Sequence, residues 1–134
     1  MGNISKLKKK ADKLYSLVRR VESADPAGYC ICVTCGKRDH YTKMQNGHYI
    51  PRNYNSTRYY DKNCHVQCKS CNIFKGGSLD TYALYLINKY GEGILEELNT
   101  LKNTRKKFKP WELEERIGAY KVRLEDLCEN TPSR

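Results

Sequence analysis

No stretch of this sequence approaches the roughly 18 consecutive apolar residues that a membrane-crossing helix needs, which excludes a helical span. The opening MGNISKLKKKADKLY lacks the apolar centre of a secretory signal, and Met-Gly-x-x-x-Lys lacks the serine or threonine of a myristoylation site, so a cytoplasmic protein is expected. Internal repeats and low-complexity segments are also missing, which leaves one compact unit over 1–134. Acidic residues are scarcest in the middle. Between Gly36 and Leu79 the only carboxylates are Asp39 and Asp61, so a conventional acidic metal cage is excluded from that stretch.

What the chain has in excess is positive charge and cysteine. Twenty-five Lys+Arg against 15 Asp+Glu give a formal net charge of +10, which favours a polyanionic partner, nucleic acid first. Seven cysteines in a cytoplasmic chain read as metal ligands, because cytoplasmic thiols stay reduced and an odd number cannot pair completely. Cys32-x-x-Cys35 and Cys68-x-x-Cys71 have the spacing of two half-sites for one tetrahedral zinc. Four thiolates leave that ion no open position, so its task is structural. Cys30, Cys64 and Cys128 are then surplus and read as small buried apolar residues, Cys30 being the one rival ligand.

Apolar residues at helical spacing predict an amphipathic helix over 5–23, on Leu7, Ala11, Leu14, Val18 and Val21. Tyr29 to Val33 reads as a short strand entering a zinc knuckle, where Gly36 lets the backbone curl toward the sulfurs. Asn46-Gly47 is a strong turn signal, predicting a hairpin between 41–44 and 48–50. Residues 51–62 read as a loop, 66–74 as a short helix, and 78–130 as three more helices. The first and last helices need a partner for their apolar faces: each other, the central module, or a second copy of the chain. The fold class is α+β, with a zinc-stapled core over 29–77 between amphipathic helices at 5–23 and 78–130.

Hydrolysis of a phosphodiester requires a base that takes a proton from water and a cation that stabilises charge on the phosphate. Histidine suits the first role near neutral pH, and any reactive metal must be a second ion. The cysteines hold the scaffold; His48, Asn63, His65 and Asn72 remain for the reaction. Eight basic residues in the same window, among them Arg52, Arg58, Lys69 and Lys75, are expected to draw in a phosphate backbone. Tyr49, Tyr54, Tyr59 and Tyr60 interleave with them, and for each one packing is the first expectation and base stacking the second.

The pattern Cys32-Val-Thr-Cys35-Gly, Gly47-His48-Tyr49 and Asn63-Cys-His65-Val-Gln-Cys68-Lys-Ser-Cys71-Asn72, followed by Lys75, resembles the zinc-containing HNH branch of the His-Me finger (ββα-metal) nucleases. Within it the chain is most similar to the phage lambda NinG (Rap) family of recombination endonucleases. That resemblance implies a metal-dependent endonuclease acting on branched or single-strand-containing DNA. It implies His48 as general base, Asn63 as a brace for the histidine and its loop, and Asn72 as a ligand of a catalytic magnesium or manganese ion. His65 is implied as a second ligand or a brace, and Lys75 as a phosphate contact. Gly47 departs from the wider HNH pattern, which commonly has Asp, Glu or His there as a metal ligand; the NinG pattern shares the glycine. The missing ligands are then to be sought among Asn72, His65, Asp61 and a carboxylate outside the module such as Asp80. The competing readings are a non-catalytic zinc-stapled DNA-binding protein, which Gly47 favours, and an RNA-binding zinc-knuckle protein. A homodimer is one option, since a two-fold symmetric junction calls for paired incisions.

Overall fold

The computed structural model describes residues 2–130; Met1 and residues 131–134, the ends of the expected single unit, lie outside the described residues. The elements run α1 (Gly2–Ser23), β1 (Tyr29–Ile31), β2 (Arg38–His40), β3 (Gln45–His48), α2 (Asn55–Arg58), β4 (Cys64–Gln67), α3 (Leu79–Tyr90), α4 (Ile94–Lys102) and α5 (Pro110–Asn130). Two small antiparallel hairpins, β1–β2 and β3–β4, sit among the helices, so the architecture is mixed α+β. None of the described helices is long and apolar enough to cross a membrane.

The long helices form where the apolar stripes lie. Ala11, Tyr15 and Val18 of α1 meet Leu113, Ile117 and Tyr120 of α5, with Tyr59, Cys64 and Phe108 completing a buried cluster. The terminal helices are therefore each other's partner. A second cluster, Ile50, Tyr82, Leu86, Ile94 and Leu98, fastens α3 and α4 to the middle of the chain. The large apolar side chains in these clusters each contribute about 1.5–3 kcal/mol on burial, which is what lets so short a sheet persist.

Two local expectations give way to tertiary structure. Residues 41–43 form a single 3-10 turn, and Asn46-Gly47 lies inside β3. Strand β3 pairs across 15 intervening residues with β4, placing Gln45 opposite Gln67, Asn46 opposite Val66, Gly47 opposite His65 and His48 opposite Cys64. The expected 66–74 helix is likewise split. Val66 and Gln67 are strand, and the helical part is one wide turn over Ser70–Phe74, closed by Lys75 N–H donating to the Ser70 carbonyl at 2.9 Å. That turn is followed by three residues in the left-handed region, Gly76, Gly77 and Ser78.

Candidate active site and metal centre

Cys32, Cys35, Cys68 and Cys71 converge with their sulfurs all within 4.8 Å of one another, the group expected from spacing. The Cys35 and Cys68 sulfurs are 3.7 Å apart. A tetrahedron with about 2.3 Å zinc–sulfur bonds has edges of about 3.8 Å, so the donor set fits a structural zinc. Backbone N–H groups of Lys37 and Cys71 donate to the Cys35 and Cys68 sulfurs at 3.4 and 3.5 Å, and Gly36 adopts a left-handed φ of 81° to allow the curl. Burial pushes the Cys32 thiol up, but hydrogen bonds from the Thr34 side chain and from backbone groups outweigh it and bring the thiol down to about 6. Cys30 stays out of the group; it is buried with its thiol against the Arg20 carbonyl at 3.2 Å. Cys64 is also buried, whereas Cys128 is exposed, contrary to its expected burial.

Strand alternation sends neighbouring side chains of β3 and β4 to opposite faces of the hairpin. On the α1 side, His48 and Asn46 line an open cavity of about 630 Å³ together with Asp12, Tyr15, Ser16 and Arg20 of α1. Asn72 and the backbone of Gly76 and Gly77 close its other wall, and Arg52 stands at its rim. His48 is half-buried there, with Nε2 at 2.8 Å from the Arg58 carbonyl. A carbonyl only accepts, so Nε2 carries the proton and Nδ1 is left as the basic nitrogen. Burial, helped by the nearby Arg52 charge, holds the imidazolium below its ordinary pKa in spite of the Arg58 and Asn46 backbone groups and Asp12. The ring is thus neutral at pH 7 and able to take a proton.

Asn63 is fully buried and does not reach the cavity. Its Oδ1 accepts from Ile50 N–H at 2.8 Å, and its Nδ2 donates to the Ile50 and Thr57 carbonyls at 3.0 and 3.1 Å, which zips the 49–58 loop onto β4. It braces the segment that carries the Arg58 carbonyl. Asn72 does line the cavity; its Nδ2 donates to Gln45 Oε1 at 2.6 Å, which leaves its carbonyl oxygen as the free donor atom.

The expectation that His65 joins the same site is corrected. It lies on the α3 face of the hairpin, buried among Tyr82, Tyr85 and Tyr90. Tyr82 donates its hydroxyl to the Gly47 carbonyl at 2.7 Å, so its oxygen accepts from His65 Nδ1 at 3.0 Å, and His65 Nε2 in turn accepts from Tyr90 at 2.7 Å. Both nitrogens are committed. Burial, reinforced by Arg19 and Lys89, pushes the ring down to about 3, as a neutral structural group requires.

Arg58 is corrected too. Its guanidinium grips Asp12 through Nε at 2.9 Å and Nη2 at 2.5 Å, and Nη1 donates to the Arg52 carbonyl at 2.7 Å, so three of its five N–H groups are committed within the protein and the side chain is only 13% exposed. Arg52, Lys69 and Lys75 are exposed. The four tyrosines pack: Tyr59 is buried beside Tyr15 and Asp12, Tyr60 donates to Glu97, Tyr49 lies edge-on to Tyr82, and Tyr54 sits under Lys102. Asp61 is engaged at Tyr15 and Arg123, and neither it nor Asp80 lines the cavity. Sequence reasoning missed Asp12 and Asn46. Asp12 is the one carboxylate lining the cavity and belongs to a helix more than 30 residues upstream; its position next to Ala11 on the apolar stripe was the only available signal.

No solved structure matches this chain. The chain is 32% identical over 104 residues to Protein ninG of Escherichia phage 933W and 31% identical over 104 residues to Protein ninG of Escherichia phage lambda, in both cases covering 72% of this chain and 47% of the relative. It therefore spans about half the length of the curated relatives it matches. The family model described as Bacteriophage Lambda NinG protein matches residues 3–130, and the chain belongs to that family.

Proposed function

We propose that the chain is a metal-dependent DNA endonuclease of the HNH type, acting on branched or single-strand-containing DNA. The observation that carries this reading is the placement of His48: with Nε2–H given to the Arg58 carbonyl, Nδ1 is the basic nitrogen of a ring that lines a cavity shared with Asn72. The order β3, β4, helical turn is the arrangement a ββα-metal module requires, and the four-cysteine group holds the turn in place. In the reaction, Nδ1 takes a proton from water, the resulting hydroxide attacks phosphorus, and the 3′ oxygen leaves, so that the product carries a 5′-phosphate.

The oxygens lining the cavity suit a hard cation that keeps most of its water. Asn72 offers its carbonyl oxygen, and Asn46 Oδ1 is buried with no hydrogen-bond partner. Asp12 lines the same space, its charge shared with Arg58 and Arg52. A magnesium or manganese ion held there would stabilise charge on the phosphate and leaving oxygen. Gly47 does not weigh against this, because a Cβ at that position would meet Gln67, on the face away from His48.

The test is a cleavage assay on a labelled flap and a four-way junction with magnesium, manganese or neither. The parent should cut with a divalent ion, and His48→Ala should lose about 10²-fold or more while keeping the parent's zinc content and circular dichroism. Equal cutting by His48→Ala removes the assigned base. Salt-sensitive binding with no cutting in any divalent ion establishes instead the non-catalytic DNA-binding reading.

A further inference from the structure

Apolar side chains left in water beside a site are informative when the residues around them are cationic. Three lie on or next to the turn whose Asn72, Gly76 and Gly77 line the His48 cavity: Phe74 is 76% exposed, Ile73 52% and Leu79 45%. The segment 62–79 carries Lys62, Lys69 and Lys75 and no acid. We propose that Phe74 is a wedge that stacks on an unpaired base where a DNA strand leaves the duplex, and so selects branched DNA for this cavity. The idea deepens the nuclease reading and rests on it for the location of the scissile phosphate.

Three observations carry it. The wedge is continuous with the cavity: Asn72, two residues before Phe74, is on the cavity wall, so a backbone tracked by Lys69 and Lys75 brings a neighbouring base to the ring. The turn is also rigid. Lys75 N–H donates to Ser70, Gly77 N–H to the Cys71 carbonyl at 2.8 Å, and the buried Gln67 amide to the Gly77 carbonyl at 2.8 Å, tying the wedge to the cysteine group. Left-handed backbone at Gly76, Gly77 and Ser78 turns the chain sharply back beneath it. The backbone that presents the ring therefore loses little freedom on contact. Finally, the charge pattern suits nucleic acid and not a second protein surface. Cores of protein interfaces are depleted of lysine, whereas a ring flanked by lysines meets both faces and phosphates of an unpaired strand. Of the tyrosines that sequence alone offered for stacking, Tyr59 is buried and Tyr49, Tyr54 and Tyr60 are half-buried against neighbours, whereas Phe74 is the most exposed large aromatic ring among the described residues.

The experiment uses the zinc-loaded chain carrying His48→Ala, so that no substrate is consumed. It measures affinity for a flap and for a linear duplex of equal charge, with 2-aminopurine at the branch reporting stacking. Phe74→Ala should lower the flap-to-duplex affinity ratio by about 5-fold or more, the lower end expected for losing one base–aromatic stack, and should abolish the 2-aminopurine change. Phe74→Trp should keep both. A ratio unchanged within two-fold in Phe74→Ala overturns the proposal, as does a shift from dimer to monomer in sedimentation, which assigns the patch to a second copy. Cleavage by the otherwise parental chain is scored separately. Loss of the ratio in Phe74→Ala therefore supports the wedge even where the parent fails to cut, and an unchanged ratio sinks the wedge alone where the parent cuts.

Discussion

Gly47→Ala is the smallest change that tests how this site is built. A Cβ at Gly47 would lie 1.9 Å from Gln67 Oε1, 2.6 Å from Cδ and 2.8 Å from Cγ, well inside contact distance. Gln67 cannot retreat into solvent, since it is fully buried and its Nε2 donates to the Gly77 carbonyl at 2.8 Å and to Thr34 Oγ1 at 3.1 Å. Moving it forfeits two hydrogen bonds of about 1 kcal/mol each, and a strand that shifts instead incurs the 1–3 kcal/mol typical of overpacking. The expected loss is about 3 kcal/mol, or a fall of about 10 °C in Tm with zinc saturating and fixed. Gln67→Ala removes the three atoms in the way. The double variant Gly47→Ala/Gln67→Ala should then be more stable than the sum of the single effects by about 1–2 kcal/mol. A Gly47→Ala protein that melts within 2 °C of the parent refutes the packing argument, and so does strict additivity. Gly47→Asp, which restores the acid of the wider HNH pattern, should destabilise at least as much, because its carboxylate starts from the Gln67 side of the hairpin.

Zinc removal and acid should act on the scaffold in separable ways. Chelation should abolish the cooperative thermal transition, since apparent binding energies of about 10–16 kcal/mol for such sites match or exceed a typical domain's stability; an unaltered melt after metal removal would show that the four thiols hold nothing essential. His65, held near 3 in the folded chain, stays neutral while the unfolded chain binds a proton below about 6.5, so stability should be lost as the pH is lowered from about 6.5 toward about 3, at up to about 1.4 kcal/mol per unit. His65→Gln should flatten the slope relative to the parent at constant zinc, and an unchanged slope would remove His65 as the source.

The helices were readable because their evidence is local. Leu7, Ala11, Leu14 and Val18 repeat at helical spacing, and α1 forms over them; the stripes at Leu79–Tyr90, Ile94–Lys102 and Pro110–Asn130 behave likewise. The cysteine group was readable because two residues between ligands is itself a geometric constraint. The β3–β4 hairpin was not. Asn46-Gly47 carries a real turn preference, but the competing demand is non-local: a glycine is needed where Gln67 crosses the strand, and only the 45–48 with 64–67 pairing reveals it. His65 was misplaced for a related reason. Proximity in sequence to Asn63 and Cys68 says nothing about which face of β4 it occupies, and β4, unlike the expected helix, sends it away from His48.

Alternation along one short hairpin divides stability from chemistry. Residues 65 and 67 take the α3 face, where a neutral histidine and a glutamine are consumed in holding tyrosines and the Gly77 turn. Residues 46 and 48 take the α1 face, where their polar atoms meet a cavity. That cavity exists only because α1 crosses it: Asp12, Tyr15, Ser16 and Arg20 supply one wall, and the bidentate Asp12–Arg58 pair anchors the residue whose carbonyl fixes the His48 tautomer. The first helix is therefore part of the site's construction. A substitution such as Asp12→Ala would free Arg58 and release the 52–58 loop, so its effect should appear in the ionisation of His48 as well as in the melting temperature.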